Sequence, residues 1–212
     1  MRKTGVILLA LMITAMAGPS GATNKNAHEC FAPDRGNRIA ACSEYLTLPG
    51  LDDRQRASAF AMRALALSLL GQYGPAIKDY DKAIELNPNF PVALNNRAWA
   101  HYRSGNNRAA WPDVERSLAL DPWSGHAYDT RAHLNQAAGN ADAAYNDYVS
   151  AMRYGGARMV RLYQCGLQAQ GHYNGALNGI VTDSLMAALK VCVGNKSCDP
   201  LPPDEECKAA TS

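Results

Sequence analysis

The sequence predicts an all-α protein: a solenoid of helical hairpins with a small, disulfide-stapled helical module at its C-terminal end. Three observations carry that prediction. The string Ile84-Glu85-Leu86-Asn87-Pro88 returns in kind as Leu118-Ala119-Leu120-Asp121-Pro122, and the stretch between them is long enough for two short helices. Counting from these strings gives three windows of equal length, 57–90, 91–124 and 125–158, in which large and small residues recur at fixed offsets. Glycines punctuate the middle of each window and prolines close the first two.

In the first helix of each window a bulky residue (Phe60, Leu94, Tyr128) precedes a small one by four positions (Ala64, Ala98, Ala132). That spacing puts both on one helix face. Gly71, Gly105 and Gly139 then end the helix, since glycine adopts the left-handed conformation at little cost. The second helix carries Ala76, Ala110 and Ala144, then Tyr80, Val114 and Tyr148, then Ala83, Ser117 and Ala151. Small residues let two antiparallel helices approach closely, and the large ones fill the gap to the next hairpin.

This pattern resembles the tetratricopeptide repeat, through three consecutive copies over 57–156. The chain departs from that family in having arginine at the seventh position, Asn107 and Ala141 where an aromatic is common, and Gly156 in place of the last proline. The resemblance implies that first helices line a concave face, with their fifth, sixth, ninth, twelfth and thirteenth positions directed into it. In the second repeat these are Asn95, Asn96, Trp99, Tyr102 and Arg103; in the third they are Asp129, Thr130, His133, Gln136 and Ala137. Amide, aromatic and guanidinium groups together suit an extended peptide, whose main chain needs hydrogen-bond partners and whose side chains need flat apolar contact. Packing of Trp99 and Tyr102 against the next hairpin is the competing reading. The expected partner is a protein or peptide.

Arg63, Arg97 and Arg131 also recur once per window, and Asp79, Asp113 and Asp147 follow them at one constant separation, from first helix to second. Across a helical hairpin that separation brings the two side chains together, so we read them as structural ion pairs rather than as a ladder of charges for a ligand.

The regions flanking the repeats differ in character. Arg2 and Lys3, the apolar stretch from Val6 to Ala17 and the Ala15-Met16-Ala17 run compose a secretory signal peptide over 1–22, cut after residue 17 or 22. About 12 apolar residues cannot span a bilayer, which needs about 20. Export, to the periplasm or beyond the cell, would allow the six cysteines to pair. Residues 23–56 read as N-terminal capping helices, with an orphan helix from Asn37 to Leu48, Asp52 or Asp53 as the next N-cap, and Cys30 and Cys42 as a staple. After Gly155-Gly156 the repeat spacing is expected to end.

Residues 157–212 then form the C-terminal module and tail. A helix with Val160, Tyr163, Gln164 and Leu167 on one face leads to a glycine-rich turn and a second helix capped by Thr182 or Asp183. Residues Val160 to Val193 resemble the peptidoglycan-binding-domain-like family, with Gln164, Gly171, Tyr173, Gly175 and Gly179 matching its glutamine, glycines and aromatic. Asn178, Thr182 and Cys192 depart from it, and the last helix is missing. The resemblance implies peptidoglycan as an alternative partner. Cys165, with its helix face expected toward solvent, leaves two pairings that tie down the tail: Cys165–Cys198 with Cys192–Cys207, or Cys165–Cys207 with Cys192–Cys198.

Composition narrows the function. The 212 residues are 47% hydrophobic and 19% charged with a net charge of +2, which gives no basic face for nucleic acid. No histidine pair has metal-binding spacing, and no phosphate loop or Gly-x-Ser-x-Gly elbow occurs. We therefore expect no enzyme activity, no cofactor and no metal.

Overall fold

The computed structural model describes residues 27–32, 37–195 and 197–201; the expected signal peptide and Cys207 lie outside them. Helix α1 (Arg38–Leu46) is followed by three hairpins: α2 (Asp53–Leu69) with α3 (Tyr73–Leu86), α4 (Pro91–Arg103) with α5 (Asn107–Leu120), and α6 (Gly125–Ala138) with α7 (Ala141–Ala169). Helix α8 (Asp183–Val193) completes the order. The described residues contain no strand. Each helix packs on its chain neighbours, and the first helices also touch along the stack, α2 on α4 and α4 on α6. This is a helical-hairpin solenoid.

Local chemistry sets the ends. Asp52 caps α2 through a reciprocal pair, its carboxylate accepting from the Gln55 amide at 2.7 Å while the Gln55 side chain accepts from the Asp52 amide at 2.9 Å. Gly71, Gly105 and Gly139 have φ of 71°, 82° and 85°, the left-handed turn that ends α2, α4 and α6. Ser124 and Thr182 cap α6 and α8 by accepting from backbone amides one turn on.

The small-residue columns are where the helices meet. Ala64, Ala98, Ala132, Ala76, Ala110 and Ala144 are all 0% exposed, as are Tyr80, Val114 and Tyr148. Phe60 and Tyr128 remain half-buried, each with a guanidinium over its ring, Arg63 and Arg131 respectively. A close backbone approach falls where α6 begins: a Cβ added to Gly125 would lie 2.5 Å from the Gly155 nitrogen. No other residue fits there without moving α7.

The Arg–Asp pairs form a ladder with a second tier. Each arginine clasps the aspartate of its own hairpin with Nε and Nη2: Arg63 on Asp79 at 2.7 and 2.8 Å, Arg97 on Asp113 at 2.7 and 2.7 Å, Arg131 on Asp147 at 2.9 and 2.7 Å. The remaining Nη1 reaches back to the preceding element: Ser43 at 2.9 Å, Asp81 at 2.7 Å and Glu115 at 3.4 Å respectively. Asp81 and Glu115 hold the same place in successive repeats. The two-pronged clasp fixes each hairpin, and the third donor fixes its stacking on the one before.

At the N-terminal end Cys30 and Cys42 form a disulfide whose sulfurs lie in a small cluster with Ala41, Tyr45 and Ala59. The buried face of α1 is Arg38, Ala41, Cys42 and Tyr45. Ile39 and Leu46, expected on that face, are only half-buried: the bend at Pro49 to Asp52 sets α1 on α2 through Tyr45.

Beyond Gly155 the chain does not leave the repeat register at once. Gly156, at φ 65° and ψ −163°, breaks α7, and residues 157–169 then continue the first-helix pattern one repeat on. Leu162 stands one repeat length after Tyr128, Gly166 after Ala132, and Gln170 after Gln136. The expectation that repeat spacing ends at Gly156 is corrected accordingly. Met159, Val160, Tyr163 and Leu167 share one buried cluster with Tyr148 and Met152 of the third hairpin and with Leu185 and Leu189 of α8. Cys165, expected to face solvent, is 8% exposed and disulfide-bonded, since both α8 and the tail pack against this stretch of helix. Cys192 pairs with Cys198, which removes the pairing of Cys165 with Cys198.

Candidate functional site: the inner face of the repeats

The ninth and twelfth positions of the first helices compose a continuous inner surface whose two halves are differently furnished. In the second repeat Trp99 and Tyr102 stand one helical turn apart with ring centroids 5.3 Å apart, and both remain partly exposed. The Arg103 guanidinium lies 5.4 Å from the Trp99 ring and 5.9 Å from that of Tyr73, so the cation is flanked by two aromatic faces. Arg103 is exposed and Asn96 half-buried. Asn95, also expected in the groove, is 6% exposed and touches Asn96 at 3.4 Å. It underlies the surface rather than forming it.

In the third repeat the same register is covered. Asp129, His133 and Gln136 are 5, 2 and 7% exposed, and the structure corrects the expectation that they face solvent or a partner. The chain's own tail lies on them. His133 Nε2 donates to the Asp199 carboxylate at 2.9 Å, and His133 Nδ1 donates to the Asp129 carbonyl at 2.8 Å. Both ring nitrogens thus face acceptors, an arrangement that only the doubly protonated imidazolium satisfies. Burial on its own would lower the pKa of His133. The Asp129 charge and the hydrogen bond to Asp199 outweigh it and raise the pKa to about 9. Burial pushes the Asp129 carboxyl upward, opposed by the His133 charge and by the Tyr163 hydroxyl, which donates to it. Asp199, also disfavoured as an ion by burial, is nonetheless held below the usual carboxylate range by its bond to His133.

The neighbouring amides hold the tail's main chain. Gln136 Nε2 donates to the carbonyls of Asn195 at 3.1 Å and Cys198 at 2.8 Å, while its Oε1 accepts from the Tyr148 hydroxyl at 2.8 Å. Gln170, in the same register one repeat later, donates to the Asp199 carbonyl and accepts from the Asp199 amide. Gln170 and Asp199 are the groove residues that sequence reasoning missed. Counting one further repeat length from Gln136 would have found Gln170; no local signal marks Asp199.

The two halves meet at His133, whose ring lies edge-on to Trp99 at 5.1 Å and to Tyr148 at 5.2 Å, with Tyr102 at 5.6 Å. Trp99 and Tyr102 therefore do both things the sequence allows: they pack against the next hairpin and keep an exposed face.

In the C-terminal module the residues matched to the peptidoglycan-binding-like pattern hold their own loop. Gln164, 0% exposed, donates to the Ile180 carbonyl at 2.9 Å and accepts from the Gly179 amide at 2.9 Å. The Tyr173 hydroxyl donates to the Ala176 carbonyl at 3.2 Å, and its ring lies where a side chain on Gly175 would be.

Among the described residues no group of three or more His, Cys, Asp or Glu side chains is placed to hold a metal ion. No helix there is long and apolar enough to cross a membrane.

An inner face of stacked first helices defines the chain as a helical-repeat protein of the kind that presents an extended binding surface. Comparison with known proteins specifies the repeat. Two tetratricopeptide repeat models match, over residues 57–90 and 79–111, so residues 57–111 are of tetratricopeptide-repeat type. Over 43 residues it is 51% identical to small glutamine-rich tetratricopeptide repeat-containing protein 2 of Mycosarcoma maydis, a match spanning 20% of this chain and 12% of that protein. Among solved structures, the crystal structure of MamA superposes with a TM-score of 0.52 at 17% identity, over 63% of this chain and 76% of MamA. At that identity the likeness concerns the fold.

Proposed function

We propose that this protein is a non-catalytic adaptor, working in an oxidising compartment outside the cytoplasm, that binds an extended protein or peptide segment along the inner face of its repeats. Tetratricopeptide repeats imply a protein partner. The observation that carries the reading is the partly exposed ledge of Asn96, Trp99, Tyr102 and Arg103, where a cation flanked by aromatic rings is left open to one side. Aromatic and guanidinium groups so placed are the groups that dominate peptide recognition. Export is supported by the disulfides Cys30–Cys42 and Cys192–Cys198, bonds that persist where thiols are not kept reduced.

The test is affinity capture by the full chain from an envelope extract of the native cell. The Asn96→Ala, Trp99→Ala variant is expected to lose the captured partner while keeping its helical circular dichroism; retention of the partner sinks the reading. Sedimentation with insoluble peptidoglycan distinguishes the cell-wall alternative. Binding to that material by the variant as well as the native chain would move the function to the C-terminal module.

A further inference from the structure

The tail makes contacts of a kind that a bound peptide would make. Within it Cys198 and Pro200 are buried, and the Asp199 carboxylate reaches inward to His133. Most of its polar contacts use main-chain atoms: the carbonyls of Asn195, Cys198 and Asp199 and the amide of Asp199. One side chain adds an ionic contact, the Asp199 carboxylate on His133. The groups that receive it are the ninth and twelfth positions of successive first helices, the same positions that present Trp99 and Tyr102 one repeat earlier. Recognition of main chain by ranked amides, with one charged anchor, is how a groove holds an extended segment.

We propose that the segment Ser197–Leu201 is an internal ligand of the groove: it covers the third-repeat half of the peptide site in cis, and an extended partner crossing that half displaces Asp199–Leu201 by supplying its own carboxylate to His133 and its own main chain to Gln170. The proposal rests on the adaptor reading above and names the chemistry of the partner. The Cys192–Cys198 disulfide holds the near end of the segment to α8, so displacement is confined to the residues that follow Cys198. Such a tether keeps the competing segment at high local concentration, and only a partner with further contacts on the Trp99 ledge overcomes it.

The test uses the full oxidised chain and a fluorescent, acetylated Ser-Asp-Pro-Leu peptide, which copies residues 198–201 with serine for cysteine. Asp199→Ala removes the internal carboxylate, and the variant is expected to bind the peptide at least tenfold more tightly than the native chain. An Ala-for-Asp version of the peptide should lose that gain. Equal binding to the two chains, including binding to neither, overturns the proposal when the variant keeps its native circular dichroism. If the variant fails to fold, hydrogen exchange on the native chain decides instead. The Asp199 and Leu201 amides should exchange at least a hundredfold faster than the Leu189 amide in α8, and exchange as slow as Leu189 shows the tail to be core. The peptide assay needs no native partner, so it can fail while the Trp99 variant test succeeds, and the reverse.

Discussion

The second and third repeats share one backbone plan and differ in what their inner faces meet. At the twelfth position the second repeat places Tyr102, partly exposed and held by ring contacts with Trp99 and His133. The third places Gln136, buried, with an amide that serves three partners at once. An aromatic ledge tolerates a changing occupant, because stacking is satisfied by any flat apolar group. A fully bonded amide does not, because each missing partner leaves a buried polar atom unsatisfied. The difference teaches that the same helical positions build either an open surface or a lock, according to the side chain and to what lies on it.

The ladder behind the inner face should be indifferent to that contrast, and there the largest effect is expected. Arg131→Ala leaves Asp147, 6% exposed, without its cation and should cost about 4 kcal/mol, the scale for breaking a buried pair. Arg97→Ala should cost about the same by chemical denaturation. A large difference between the two would show that the repeats are not equivalent in their backs either.

Gln136→Leu should come next, at about 3 kcal/mol, since it strands the Tyr148 hydroxyl and the Cys198 carbonyl. Tyr102→Leu at the matching place should cost about 1 kcal/mol, the scale of an aromatic contact. Thermal unfolding of the two variants measures the contrast, and equal costs would erase it.

The third expectation concerns pH. His133 is charged in the folded protein up to about pH 9, against roughly 6.5 when unfolded. Its contribution is therefore full below about pH 6.5 and is lost as pH rises through about 9. The groups facing it are Asp129 from its own helix, Asp199 from the tail, and the rings of Trp99, Tyr102 and Tyr148. Stability should fall by on the order of 2 kcal/mol across that window, the full shift being discounted because the Asp199 side chain stays 53% exposed. His133→Gln should flatten the profile. An unchanged slope would place the titrating group elsewhere.

The smallest expected effect is on the ledge. Trp99→Ala should lower stability by about 1 kcal/mol, because its outer face is already exposed. A loss of about 3 kcal/mol or more, the scale of a truncated core aromatic, would make Trp99 core and remove the contrast from which the peptide site is argued.

Much of this architecture is legible in the chain alone, and for a physical reason. A helical hairpin stacked on copies of itself must place small residues wherever backbones cross, so Ala64, Ala98 and Ala132 announce the period. The pairing of Arg63, Arg97 and Arg131 with Asp79, Asp113 and Asp147 is likewise a local relation within one hairpin. Their third donor bond was not legible, because Ser43, Asp81 and Glu115 lie on the previous element and differ in kind. The tail was invisible for a stronger reason. Asp199 reaches back to His133 from far along the chain, and a proline-rich tail with several carboxylates carries no periodicity to say where it lies. The part of α7 beyond Gly156 lies between these cases: its register continues that of the repeats, but Gly156 and Cys165 interrupt the pattern of residue types that marks a repeat.

The two-tiered arginine ladder makes the solenoid divisible at one grain only. Because Asp81 and Glu115 hold the same place in successive copies, excision of residues 91–124 would deliver Arg131 to Asp81 as it now meets Glu115. A cut of any other length would set an unmatched cation against the back of the stack. The molecule thus carries its own ruler, and the lengths by which it can shrink or grow by duplication without relearning how its parts fit are whole repeats.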